Sequence, residues 1–239
     1  SNTPVAGHLT CVDMSKDEIN AIALDWLKNG INKIVALRGD VRKKDSKYKP
    51  HEKGYINAAD MVSGLKKLGN FEIAVAGYPD KHPESKNENE DLENLKTKVD
   101  QGADKVITQF FFDHEKFLRF RDKSTALGIK APIIPGILPI DNFKKVKDFS
   151  LKCGTFIPKW VEDKFSNLKE EEKFVGIDIA CNLVNKLQAE GVNEFHFYTL
   201  NKYELTYAVC KNLLNVKKTE KKENNQDINQ FFQQKERYI

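Results

Sequence analysis

VDQGADKVITQFFFD, Val99–Asp113, joins the polar end of a helical pattern to a strongly apolar run through one glycine. Gly102 suits the left-handed turn that closes a helix, because it has no Cβ to clash there. The same join recurs in KNGINKIV (Lys28–Val35), ALGIKAPII (Ala126–Ile134) and AEGVNEFHF (Ala189–Phe197). Each time a helix stops at Gly30, Gly102, Gly128 or Gly191, and a buried strand follows within a few residues. Working outward, strands are expected at His8–Val12, Lys33–Leu37, Glu72–Ala76, Lys105–Phe111, Pro132–Ile137 and Glu194–Thr199. Helices are expected at Lys16–Asn29, Ala58–Leu68, Asp91–Gln101, His114–Leu127, Phe143–Cys153, Glu170–Glu190 and Lys202–Leu214. Ser15 with Glu18 three residues on has the spacing of a capping box, which starts the first helix.

Strands alternating with helices imply a parallel sheet covered by helices. A doubly wound open sheet and a closed (β/α)8 TIM-type barrel both meet that description. A dinucleotide-binding open sheet would carry a glycine-rich turn after its first strand, and neither GxGxxG nor GxxxxGK[ST] occurs. Polar or unusual residues stand instead at the C-terminal ends of the strands: Arg38 and Asp40, Tyr78, Gln109, Pro139, Tyr198 and Asn201. Barrel sites are assembled at that rim from several strands at once, which favours the α/β barrel. Six strand–helix units are visible where a closed barrel has eight. Because the chain opens almost on a strand, the other two are expected upstream. Residues 1–214 read as one barrel domain, N-terminally incomplete. Residues 215–239, NVKKTEKKENNQDINQFFQQKERYI, read as a polar tail or extra solvated helix, with Phe231 and Phe232 able to dock.

Composition narrows the function classes. The 239 residues carry a net charge of +4, and Lys217, Lys218, Lys221 and Lys222 concentrate that excess near the end. The nearly neutral body offers no nucleic-acid footprint. No run approaches the ~18 apolar residues of a membrane span, and Ser1-Asn2-Thr3-Pro4 lacks the layout of a signal peptide. Cys11, Cys153, Cys181 and Cys210 are too scattered for a CxxC metal or redox motif and read as free buried thiols in a reducing cytoplasm.

VALRGD (Val35–Asp40) ends a strand with a cation, a glycine and a carboxylate. Gly39 lets backbone approach a ligand, Arg38 can pair with a phosphate, and Asp40 can accept from ring N–H groups; a salt-bridged loop is the plainer reading. AVAGYPDKHPES (Ala74–Ser85) sets Tyr78 and His82 in a proline-stiffened loop that could meet a flat cofactor. Alone, His82 reads as a surface histidine. Asp91, Asn94 and Lys98 share one face of the following helix, directed to the same rim. Gln109 interrupts an apolar strand, so its amide is either a satisfied core group or a ligand-reading group. His196, within another apolar strand, reads as a satisfied core histidine.

Taken in order, HLTCVD, VALRGD, YPDKHPES, DLENLKTKVDQGADKVITQFFFD, IIPGILP and EFHFYTLNKYE resemble the methylenetetrahydrofolate reductase family, in its short bacterial type, from about Gly7 to Leu214. The resemblance implies a cytoplasmic, homo-oligomeric FAD barrel without a separate regulatory domain. It would take a hydride from NAD(P)H and pass it to 5,10-methylenetetrahydrofolate, giving 5-methyltetrahydrofolate, with both substrates using the same flavin face. It assigns flavin contacts to His8, Arg38, Gly39, Asp40, Ala58, Tyr78, His82, Asp91, Asn94 and Lys98. Asp40 would lie near the flavin pyrimidine edge and the pterin. Gln109 would contact both substrates, and Phe149 would pack against whichever is bound.

Three positions depart from that pattern. Lys145 stands where the enteric enzymes have glutamine and Lys202 where they have arginine, so folate contacts there lose a planar group. The loop Val41–Tyr55 is longer and more basic. The family's general-acid glutamate, in a FEFFPP-like segment on the first strand, and a flavin-contacting threonine on the second strand have no match. A proton on the leaving folate nitrogen is typically worth ~10²–10⁴-fold. Two other readings therefore stand beside the reductase: a catalytically incomplete flavin-binding fragment or assembly subunit, and another barrel flavoenzyme such as a proline dehydrogenase relative.

Overall fold

The structure is a computed structural model that describes residues 3–40, 48–166, 168 and 172–219. In chain order the elements are β1 (Ala6–Thr10), α1 (Lys16–Lys28), β2 (Lys33–Leu37), α2 (Ala58–Leu68), β3 (Glu72–Gly77), α3 (Glu88–Asp100) and β4 (Lys105–Phe110). There follow α4 (His114–Ala126), β5 (Ile133–Ile137), α5 (Phe143–Cys153), α6 (Lys159–Phe165), α7 (Glu172–Ala189), β6 (His196–Phe197) and α8 (Glu204–Thr219).

Local chemistry explains most of the boundaries. Ser15 and Glu18 form the expected reciprocal capping box on α1. Asn57, Asn87, Asp113 and Asn142 each accept a backbone N–H to open α2 through α5. Gly30, Gly102, Gly128 and Gly191 all have positive φ, as the helix-closing role requires. The differences are also physical. The first strand covers Ala6–Thr10 rather than His8–Val12, since Gly7 pairs with Ile34 and leaves its Cβ position to the Trp26 ring. Asn87 starts α3 at Glu88, ahead of the expected Asp91. The last strand contracts to His196–Phe197. Helix α6, opened by Pro158, had no counterpart in the pattern.

All strands are parallel, and each pairs with its sequence neighbour in the order β1-β2-β3-β4-β5-β6. A doubly wound sheet reverses direction at a switch point, with helices on both faces. Here no reversal occurs, so the helices cover one face and the sheet curls about the other. His8 of β1 and His196 of β6 consequently line one cavity. This is barrel architecture, with six strands among the described residues.

The apolar core forms three clusters between sheet and helices. Ile34, Ile73 and Val75 pack against Ile19, Met61 and Leu65 of α1 and α2. Phe111, Phe117 and Ile137 meet α7 through Ile177, Leu183 and Leu187. Phe110, Leu138 and Ile140 meet Val146 of α5 and Val161 of α6. Helix α7 comes so close that a Cβ on Gly176 would lie 1.9 Å from the Ile140 carbonyl oxygen.

All four cysteines are free, but only Cys11 is buried; the other three are partly exposed, which corrects the expectation of buried thiols. Helix α8 continues to Thr219, past the expected limit at Leu214. Residues 220–239, including Phe231 and Phe232, lie outside the described residues. Among the described residues no helix is long and apolar enough to cross a membrane.

Candidate active site

The C-terminal ends of the strands surround a cavity of about 580 Å³. His8 enters it from β1, and Arg38, Gly39 and Asp40 from the end of β2. Ala58 contributes the first residue of α2. Tyr78 and His82 come from the loop after β3, and Asp91, Asn94 and Lys98 from α3. Gln109 completes the set from β4. Every residue that the resemblance assigned to the flavin thus lines one space, together with Gln109.

Gly39 makes the turn after β2 with φ +86, and a Cβ there would meet Val12 at 2.5 Å. That turn carries Arg38 inward, where Tyr48 lies beneath its guanidinium at 4.7 Å. Glu84 grips the guanidinium with both carboxylate oxygens, Nη2 donating to Oε1 at 2.8 Å and Nη1 to Oε2.

The loop between β3 and α3 is held by Asp91. Its carboxylate accepts from the His82 backbone N–H at 3.1 Å and from the Ser85 hydroxyl at 3.0 Å. His82 Nδ1 accepts from the Glu84 backbone N–H at 3.1 Å, which places the neutral ring's proton on Nε2. Burial first, then the Arg38 charge, lower the His82 pKa. Tyr78 meets the His82 ring edge-on at 4.7 Å, and burial pushes its hydroxyl up to about 12. His82 is therefore a half-buried, oriented donor and not the surface histidine of the plain reading.

Lys98 donates from Nζ to the Ala76 carbonyl. Its stem keeps some exposure, but burial of the ammonium lowers its pKa to about 8. Gln109 is half satisfied: Oε1 accepts from the Phe110 N–H at 3.0 Å, which leaves the amide NH2 for the cavity. The core-group alternative holds in part, through that one bond.

A smaller hollow of about 100 Å³ adjoins the first, with Tyr198 lining both. Lys145, Phe149 and Lys202 line this second space. Phe149 stacks on Phe110 at 5.3 Å, and Lys202 pairs with Asp141. These three substrate residues taken from the resemblance therefore lie beside the flavin set, whereas the other two, Asp40 and Gln109, line the main cavity.

Some groups escaped the sequence reading. His196 lines the main cavity instead of being a satisfied core histidine; it has no hydrogen-bond partner among the described residues and meets Tyr198 edge-on at 4.7 Å. The two share a strand face by alternation, a signal that could have found His196 once Tyr198 was placed on the rim. Cys153 is raised to about 11, by burial and then by the nearby Asp40 carboxylate. Glu84 and Tyr48 had no signal. Among the described residues no cluster of three or more His, Cys, Asp or Glu could hold a metal ion.

The family model for methylenetetrahydrofolate reductase matches residues 1–214. The chain belongs to the methylenetetrahydrofolate reductase family. The 5,10-methylenetetrahydrofolate reductase of Salmonella typhimurium is 49% identical over 211 residues, covering 87% of this chain and 69% of the relative. That of Escherichia coli is 48% identical with the same coverage. A methylenetetrahydrofolate reductase (NADH) from Zea mays is 37% identical over 86% of this chain and 37% of its own. A solved Clostridium thermocellum protein, described as binding two copies of 5-methyl-5,6,7,8-tetrahydrofolic acid, shares the fold with a TM-score of 0.54. It is 14% identical and covers 88% of this chain and 94% of its own.

Proposed function

We propose that this family member works with FAD, passing a hydride from NAD(P)H to 5,10-methylenetetrahydrofolate and yielding 5-methyltetrahydrofolate. The observation that carries the reading is the convergence of the family's flavin positions, with Gln109, on one cavity. The residues present suit the cofactor. Ala36, Ala58, Ala59 and Ala76 keep part of the wall low enough for a flat ring system. Arg38 and Lys98 would supply donors for phosphate oxygens, while Asp91 and Asn94 on α3 would meet ribityl or ribose hydroxyls.

When bound, FAD supplies a two-electron carrier that both substrates can address in turn. The protein's own groups orient and bias that exchange. Asp40, which lines the cavity, would disfavour further negative charge on a ring bound beside it. Gln109 offers its unpaired NH2 to a carbonyl of either substrate. Phe149 provides an apolar face, and Lys145 and Lys202 offer cations to the folate tail. Conversion of the methylene bridge to a methyl group also consumes a proton at the leaving nitrogen. The family resemblance further supports a homo-oligomer in the cytoplasm.

The test is anaerobic and spectroscopic. Added FAD is expected to form a yellow complex that NADH or NADPH bleaches. Methylenetetrahydrofolate should then restore the colour with formation of 5-methyltetrahydrofolate. Failure to bind FAD would overturn the cofactor assignment. Bleaching that folate cannot reverse would point to a flavin-binding chain without the folate step, or to a different barrel flavoenzyme.

A further inference from the structure

We propose that Glu84 is a built-in competitor at the flavin site: its carboxylate holds the anion position on Arg38 until a phosphate-bearing ligand takes its place. The proposal rests on reading the cavity as a flavin site. A carboxylate and a phosphate present the same pair of oxygens to a guanidinium fork, so they compete for one set of donors. In this structure Glu84 fills that fork with both oxygens. The Arg38 hydrogen bond also holds the Glu84 carboxyl below its usual range, which keeps it ionised and competent as a stand-in anion.

Geometry makes the exchange cheap. Arg38 does not depend on Glu84 for its place, because Tyr48 lies under the guanidinium and Nε donates to the Gly39 carbonyl at 3.4 Å. The Glu84 side chain is 54% exposed against 24% for Arg38, so the carboxylate can swing into water while the cation stays. An ion pair this exposed contributes little to stability. The Glu84 backbone need not follow, since its N–H remains on His82 Nδ1 and the surrounding turn is tied to Asp91. A flavin without phosphate cannot replace the carboxylate. Its affinity is therefore indifferent to the carboxylate, whereas FAD must displace it to gain the fork.

Flavin fluorescence quenching on the full chain, with FAD and riboflavin as probes, tests this. Glu84→Gln and Glu84→Ala should each bind FAD about two- to fivefold tighter than the parent at low ionic strength, the size expected for losing an exposed competing pair. Riboflavin affinity should stay unchanged, and the FAD gain should shrink at high salt. Weaker FAD binding in both variants would make Glu84 a holder of Arg38, and unchanged binding would mean the carboxylate is never exchanged. Either result overturns the proposal while leaving the flavin reading intact. A parent chain that binds neither flavin removes the flavin reading, and this proposal with it.

Discussion

Lys98 is the residue whose environment does most to define the chemistry of the cavity. Burial brings its ammonium to about 8, while His82 is moved below its ordinary value and Tyr78 up to about 12. Neither neighbour titrates between pH 7.5 and roughly 9 on that basis, so proton uptake in this window belongs to Lys98. An anionic ligand favours the charged amine. FAD affinity should therefore be full below pH 8 and fall as pH rises through 8, by at most about tenfold per unit. Lys98→Met should bind more weakly and lose this dependence. A pH-independent affinity in the parent would refute the assignment. Gly39 yields a second expectation. Its φ of +86 and the 2.5 Å approach of Val12 leave no room for a side chain. Gly39→Ala should lose about 1–2 kcal/mol from backbone strain alone, read as a lowered denaturation midpoint, and should weaken FAD binding by displacing Arg38 and Asp40.

Among the elements, α7 is closely packed at Gly176. Gly176 rests on the Ile140 carbonyl, and an added methyl would have to push the helix off the end of β5. Gly176→Ala is expected to destabilise by about 1–3 kcal/mol or more, the range for overpacking a filled interior. Since Leu138 and Pro139 line the second hollow just before Ile140, the same variant should also disturb the Lys145–Phe149 side of the site. A thermal midpoint equal to the parent's would show that α7 yields more easily than its packing implies. Helix α3 illustrates how local chemistry places a functional face. Asn87 caps it, and Asp91 lies one turn in, close enough to tie the His82 loop down. Asn94 and Lys98 repeat along the same side. The spacing made that face legible; the anchoring of the His82 loop by Asp91 was not.

At the scale of the whole molecule, sequential strand order makes the cavity. Six parallel strands added one after another, each twisted in the same sense, curl until β1 and β6 address the same space. Among the described residues, β1 and β6 each pair on one side only, whereas β3 and β4 are flanked on both. Most of the rim was readable from the sequence, because each strand's C-terminal residues are local to a helix–glycine–strand unit; Asn201, also expected there, lines neither hollow. The partner of Arg38 was not readable, because Glu84 is separated from it by 46 positions and belongs to a different loop.

Sequence by itself determined the alternation of helices and strands, the glycines that close the helices and the identity of most polar groups at the strand ends. These follow from backbone preferences and hydrophobic period, which act over a few residues. Only the tertiary structure decided that the strands run in unbroken order, that His196 faces the cavity, and that Glu84 takes up the charge of Arg38. Those outcomes depend on which segments approach through space, where packing and charge act between residues distant along the chain.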